Sequence, residues 1–186
     1  MNDNVSGVSY YALLVKTRGE EKFMRQVRQQ CSGFDYCLHF PQRALDIRKG
    51  RKIKPSRFAI FPGYVFLELA EDEDVGRYFW VFRKIDGFFR FLKSNRDISP
   101  LQGRDLELVL HFVKIGPLAG KSKVYFDENA RIVVMSGPLS GLEGKIIKVD
   151  KRKKRAKIKL DLYDDSFSID LAFEVIEKAR SAHEQR

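Results

Sequence analysis

The chain has 186 residues, 44% of them hydrophobic, including 15 Phe and 7 Tyr. That is enough apolar mass to build one domain or two small ones, and it excludes wholesale disorder. The net charge of +10 favours a polyanionic partner. No apolar run reaches the ~18 residues a bilayer span needs, and the N-terminus lacks the basic and apolar regions of a secretion signal, so a cytoplasmic protein without a membrane partner is expected.

Tyr10–Lys16 is short and apolar on both faces, which predicts a central strand. Thr17-Arg18-Gly19-Glu20 breaks that pattern and opens a helix. Its Phe23, Val27 and Cys31, with Met24 beside them, form one apolar stripe, and Gly33 is its natural stop. Asp35–Phe40 reads as a second strand. Arg43–Arg57 carries seven cations against Asp46, with Gly50 near its centre, and reads as a long exposed hairpin or a mobile loop. Phe58–Leu69 is the strongest strand of this half. After Pro62-Gly63, Val65, Leu67 and Leu69 share one face, and Tyr64, Phe66 and Glu68 the other. The acids Glu71–Asp74 precede a helix and complement its positive end. Val75, Tyr78, Phe79 and Phe82 form its stripe, with Trp80 off it. Asp86-Gly87 turns into the aromatic strand Phe88–Leu92. A third helix carries Leu106, Val109, Leu110 and Val113 until Gly116-Pro117 ends it. Residues 1–115 therefore read β-α-β-β-α-β-α, an α+β sandwich with helices on one face of an antiparallel sheet. Residues 116–129, with Gly120, Lys121, Ser122 and Lys123, read as a linker.

Residues 130–179 read as five short strands closing into a small β-barrel, with a tail over 180–186. Ser136–Gly144, with three glycines and a proline, is a shaped loop, and Asp150–Arg155 is a hairpin tip ending in five consecutive cations. From Lys145 to Lys159 nine Lys or Arg stand against one acid, whereas Leu160–Glu174 carries five acids and no Lys or Arg. Such polarity suits one face to a polyanion. Arg155, Lys157 and Lys159 alternate onto one strand face while Ala156, Ile158 and Leu160 turn inward.

Cys31, Cys37 and His39 are three candidate metal ligands, but a structural zinc wants four at tighter spacing. Two reduced thiols and no metal are expected. There is no P-loop, nucleophile–base spacing or recognisable carboxylate pair, so a non-enzymatic chain without a cofactor is expected.

Tyr10-Tyr11, Phe61-Pro62-Gly63-Tyr64-Val65 and Gly137-Pro138…Gly141…Gly144-Lys145-Ile146…Val149, in that order over nearly the whole chain, resemble the NusG family of transcription elongation factors. The resemblance implies a polymerase-binding N-terminal (NGN) domain of RNP/ferredoxin-like type over 1–115 and a tethered KOW barrel over 130–179. It implies that Tyr10, Phe61 and Tyr64 border an apolar pocket for the clamp helices of the largest catalytic subunit of RNA polymerase. Gly76, Arg77, Tyr78 and Phe79 would lie where family members touch the opposite wall. From the residues alone, Phe61 and Tyr64 fit a core position equally well. The basic tip and the aromatic helix Tyr78-Phe79-Trp80 look most like the LoaP subgroup, processive antiterminators whose KOW module binds a nascent RNA hairpin. That assigns Ser140, Lys145, Lys151, Arg152, Lys153, Lys154, Arg155, Lys157 and Lys159 to RNA, with Ser140 and Lys145 on a glycine loop that lets backbone approach phosphate; the alternative is a solvated turn. Arg48, Lys49, Arg51 and Lys52 are candidate contacts to non-template DNA, or else a solvated loop. A monomer is expected. One alternative function is a general NusG-like factor whose KOW recruits a termination factor or ribosomal protein. Another is a ribosome-associated or RNA-modifying KOW protein.

Overall fold

The computed structural model describes residues 7–177, so the expected tail over 180–186 lies outside the described residues. In chain order the elements are β1 (Val8–Val15), α1 (Glu20–Gln30), β2 (Cys37–His39), β3 (Gln42–Lys49), β4 (Lys52–Ala59), β5 (Tyr64–Ala70), α2 (Val75–Phe82), β6 (Phe88–Phe91) and α3 (Gly103–Ile115). There follow β7 (Leu118–Ala119), β8 (Ser122–Phe126), β9 (Ile132–Ser136), a 3-10 turn at Glu143–Lys145, β10 (Ile146–Asp150), β11 (Arg155–Leu162) and β12 (Asp165–Val175). Two compact units emerge. One runs up to Gln42 and resumes over Ala59–Pro117; the other joins Arg43–Phe58 to the chain from Leu118 onward. Among the described residues no helix is long and apolar enough to cross a membrane.

In the first unit the sheet order is β2-β5-β1-β6, with every neighbouring pair antiparallel. Together with the β-α-β-β-α-β run this is the ferredoxin-like arrangement expected from the sequence. Tyr11, Leu13 and Val15 join Val65, Leu67 and Leu69 in one core with Phe23, Met24 and Val27 of α1 and Tyr78 and Phe82 of α2. The intervening residues face the other way. Ala12 pairs with Phe66, whose ring lies 5.2 Å from that of Phe61, which in turn lies 5.6 Å from Phe112 of α3. The helices therefore cover both faces, not one. A central pair of strands apolar on both sides needs cover on both sides, and α3 supplies the second.

The expected single strand Phe58–Leu69 is broken at Ile60–Gly63, between β4 and β5. Gly63 sits at φ +84°, and a Cβ there would stand 3.0 Å from Thr17 Oγ1. Its N–H donates to Oε1 of buried Glu20 at 2.8 Å, and its carbonyl accepts from Val15 N–H at 2.8 Å. The turn thus ties the end of β1, the first residue of α1 and the start of β5. Cys31 caps α1, buried, with its N–H on the Val27 carbonyl. Asp74 caps α2, its carboxylate accepting from Gly76 N–H at 2.9 Å.

In the second unit Arg43–Arg57 resolves as a hairpin, β3 and β4, in a three-stranded sheet of order β4-β3-β7. The span 116–129, expected to be a linker, contains β7 and β8. β8 pairs antiparallel with β9 and parallel with the end of β12. The Gly/Ser/Lys composition hid this strand because Ser122 is fully buried beneath Gly137, where a Cβ would come within 2.7 Å of Ser122 Cα. The expected barrel is an open half-barrel among the described residues, with strand order β10-β11-β12-β8-β9. Its shape follows from β12, which gives Asp165–Ala172 to β11 but only Phe173–Val175 to β8. Ala156, Ile158, Leu160 and Leu162 of β11 point inward as expected, all fully buried.

Removing the acceptor for Gly63 leaves a buried N–H unpaired. Glu20→Ala should therefore lower unfolding free energy by about 1–3 kcal/mol in urea titration, and Glu20→Gln, which keeps an acceptor, by less.

Candidate nucleic-acid interface and the aromatic face

The basic tip between β10 and β11 is a built turn. The Asp150 carboxylate accepts from Lys153 N–H at 2.8 Å, Lys154 adopts φ +52°, and the Lys154 carbonyl accepts from Phe173 N–H at 2.9 Å. The Lys151 ammonium lies 4.1 Å from the centroid of the Phe126 ring. The bond from Lys153 N–H is the chief cause holding the Asp150 carboxyl below its usual range, helped by the charges of Lys153 and Arg152 and opposed by desolvation.

Within the same unit, the β3–β4 hairpin stands beside this tip. A cleft of about 640 Å³ is lined by Asp46, Ile47, Arg48 and Ile53 of that hairpin, Lys121, Arg152–Arg155, Ala172 and Phe173. Six of those residues are cationic and only Asp46 is acidic. Asp46 is also the joint. Its carboxylate holds Lys121 Nζ at 3.0 Å, and its backbone carbonyl accepts from the Arg155 guanidinium. Deeper in the hairpin, burial pushes the Arg43 guanidinium down to about 10, Asp170 partly offsetting it and Arg155 adding to it, and its cation lies 5.7 Å from the Phe58 ring. It stays charged at neutral pH.

This arrangement sorts the sequence-predicted residues. Lys151–Arg155 cluster at the tip, and Arg48, assigned from sequence to DNA, lines the same cleft as Arg152–Arg155. Lys49, Arg51 and Lys52 are exposed around the end of their own hairpin. Lys157 and Lys159 run down β11 away from the tip, and each meets an acid: Lys157 lies 3.8 Å from Asp170, and Lys159 lies 3.7 Å from Asp161. The charge polarity expected from counting is therefore interleaved on the sheet, because β12 pairs directly with β11. Lys145 lies at the Asp161 end of β11, whose carboxyl it helps hold down after Ser166 and Lys159. That end is about 20 Å from the tip at strand rise, and neither Lys145 nor the exposed Ser140 of the glycine loop lines the cleft. The glycine loop instead packs: Ser122 Oγ accepts from Leu139 N–H at 2.9 Å beneath Gly137.

In the first unit, Tyr10, Phe61 and Tyr64 are buried, Phe61 with 1% of its surface exposed, so they hold core positions. Tyr78 is also core, its hydroxyl donating to the Asp35 carbonyl at 2.7 Å. Arg77 is exposed, 5.1 Å from the Phe34 ring centroid, while Gly76 and Phe79 are half-buried. Sequence reasoning passed over the residues that do reach solvent. Trp80 and Phe89 are 60% and 58% exposed, and the Arg83 guanidinium lies 4.9 Å from the Trp80 ring centroid. The available signal was Trp80 falling off the helix stripe.

Asp150→Ala should leave the fold intact and raise amide hydrogen exchange at Lys153. In the unchanged chain that protection should be present above the unfolded carboxylate pKa and be lost as pH falls through the lowered pKa of Asp150. NMR-detected exchange against pH measures both effects.

A family model described as "Transcription termination factor nusG" matches residues 8–110. Among similar proteins, the transcription termination/antitermination protein NusG of Neisseria meningitidis is 26% identical over 137 residues, 74% of this chain and 75% of its own length. That of Thermus thermophilus is 23% identical over 185 residues, covering 92% of this chain and 99% of its own length. A solved structure titled "Domain interaction in Thermotoga maritima NusG" superposes with a TM-score of 0.56 at 19% identity, covering 89% of this chain and 93% of that one. That likeness concerns the fold alone. With the family model spanning more than half the chain, this protein belongs to the NusG family of transcription termination and antitermination factors.

Proposed function

We propose that this chain is a cytoplasmic processive antitermination factor of the LoaP kind. It rides on RNA polymerase through its first unit and captures a nascent RNA hairpin through its second, a KOW module. The single observation that supports the RNA reading is the cleft in which six cations stand against one acid, whose only acidic member is already engaged by Lys121. Two neighbouring hairpins that present cations to one concavity suit a polyanion such as a folded nucleic acid. A-form RNA conceals its base edges in a deep major groove, so such a surface reads backbone shape and loop bases. Arg48 belongs to the same surface, which favours RNA over DNA as its contact; Lys49, Arg51 and Lys52 keep the non-template-DNA role.

On the polymerase, buried Tyr10, Phe61, Tyr64 and Tyr78 shape the domain from within. Exposed Trp80 and Arg77, with half-exposed Gly76 and Phe79, are the groups that can touch a second protein. Trp and Arg are favoured interface anchors because they bring large contact area at small entropy cost. Bridging two walls of the enzyme would hold its clamp shut without covalent chemistry. A second reading, a KOW that recruits a termination factor or ribosomal protein, draws on the exposed Met135, Ile147 and Val175.

If about five phosphates are neutralised, affinity for a defined leader hairpin should fall with salt at a log–log slope of about −4. Replacing Arg152, Lys153 and Lys154 by Ser should weaken binding at all salts and flatten that slope by about 2–3, measured by filter binding. Unchanged binding sinks the RNA assignment. Transcription through a terminator downstream of that hairpin should become factor-dependent, and Trp80→Ala should remove the effect without changing hairpin affinity. Readthrough that is indifferent to the hairpin instead supports the protein-recruiting reading.

A further inference from the structure

A second cluster of chemistry-bearing side chains lies in the first unit and is used by nothing above. Across the sheet, Cys37 of β2 and Tyr10 of β1 are both direct register partners of Glu68 on β5. Side chains of directly paired residues point to the same face, and His39, two residues after Cys37, shares it. The donor atoms of Cys37, His39 and Glu68 all lie within 4.8 Å of one another. His39 Nε2 and Glu68 Oε2 are 2.6 Å apart, and the Tyr10 hydroxyl is hydrogen-bonded to the same carboxylate. The Tyr10 and His39 rings lie 5.9 Å apart, fixing the imidazole from the side.

We propose that Cys37, His39 and Glu68 form a binding site for a zinc-class divalent transition ion, with water completing the coordination. The donor set carries the choice of ion. A thiolate, an imidazole and a carboxylate together suit zinc rather than magnesium or calcium, which take all-oxygen shells. Thiolate and carboxylate also neutralise the dication. Zinc–ligand bonds of ~2.0–2.3 Å put tetrahedral donors roughly 3.3–3.7 Å apart, so the cluster closes around an ion by side-chain shifts of about an ångström. The scaffold is favourable because all three donors sit on paired strands rather than on a loop. Tyr10 would orient the carboxylate from behind, the part an outer-shell hydrogen bond plays at metal centres. From sequence, Cys31 stood in this set. The structure removes it, because Cys31 is buried in the α1 core, and puts Glu68 in its place. The ion would staple the three-residue edge strand β2 to β5.

The full chain, stripped with a chelator and titrated with Co²⁺, should bind one equivalent. The bound form should show a near-ultraviolet thiolate-to-cobalt charge-transfer band and visible bands of a four-coordinate ion, all lost on adding Zn²⁺. Cys31→Ser should keep the band and Cys37→Ser should abolish it, which separates the two thiols. His39→Gln should weaken Zn²⁺ binding more than tenfold, and Tyr10→Phe about tenfold. Zn²⁺ should raise the thermal unfolding midpoint of the unchanged chain and, at the same concentration, raise that of His39→Gln less. Absence of the charge-transfer band, or its persistence in Cys37→Ser, overturns the proposal. Should Cys37→Ser fail to fold, His39→Gln decides, and unaltered Zn²⁺ affinity in that variant overturns it equally.

Discussion

Gly63 has both backbone groups committed, its N–H to the Glu20 carboxylate and its carbonyl to Val15 N–H. One turn therefore fixes where β1 ends, where α1 begins and where β5 starts. Only a residue without a Cβ tolerates φ +84° this close to Thr17. Everything else in the first unit inherits its register from that joint. β5 aligns Val65 with Leu13 and Phe66 with Ala12, and the two faces then find α1 and α2 on one side and Phe61 and Phe112 on the other. The Phe-Pro-Gly-Tyr-Val signature is thus an architectural joint in the first place.

The second unit has its own joint in Asp46. Its carbonyl fixes Arg155 and its carboxylate holds Lys121, so the β3–β4 hairpin and the β10–β11 turn present their cations to one cleft. Down β11 the opposite happens. Lys157 and Lys159 each face an acid, and in exposed positions such pairs add little stability. Their effect is on the field: they cancel positive potential along the strand and leave it concentrated at the tip. A polyanion would then meet one localised patch rather than a uniformly basic sheet.

Much of this was legible in the sequence, and the failures have identifiable physical causes. The helix stripe at Val75, Tyr78, Phe79 and Phe82 and the inward alternation on β11 were readable because burial imposes a period. The break at Ile60–Gly63 was less so, since the apolar run continues through a turn whose cause, Glu20, lies 43 residues away. β8 was missed because Ser122 and Lys123 prolong the polar Gly120-Lys121 run, which masked the apolar Val124, Tyr125 and Phe126 behind it. That Arg48 and Arg152–Arg155 line one cleft was not legible, because charge runs carry no information on which faces meet. Phe61 and Tyr64 were evenly balanced between pocket and core, and only the three-dimensional packing tips them to core.

The two proposed contact surfaces differ in the physics that would hold them. The cleft works by releasing counterions, so its strength falls steeply as salt screens it. The aromatic face, with Trp80 under Arg83 and Phe89 nearby in sequence, would work by burying apolar area, which salt hardly weakens. A factor built this way can hold a protein partner steadily through conditions in which its grip on nucleic acid is renegotiated. That asymmetry would suit the proposed factor, which on this reading selects an RNA once, at loading, and then stays attached to the polymerase.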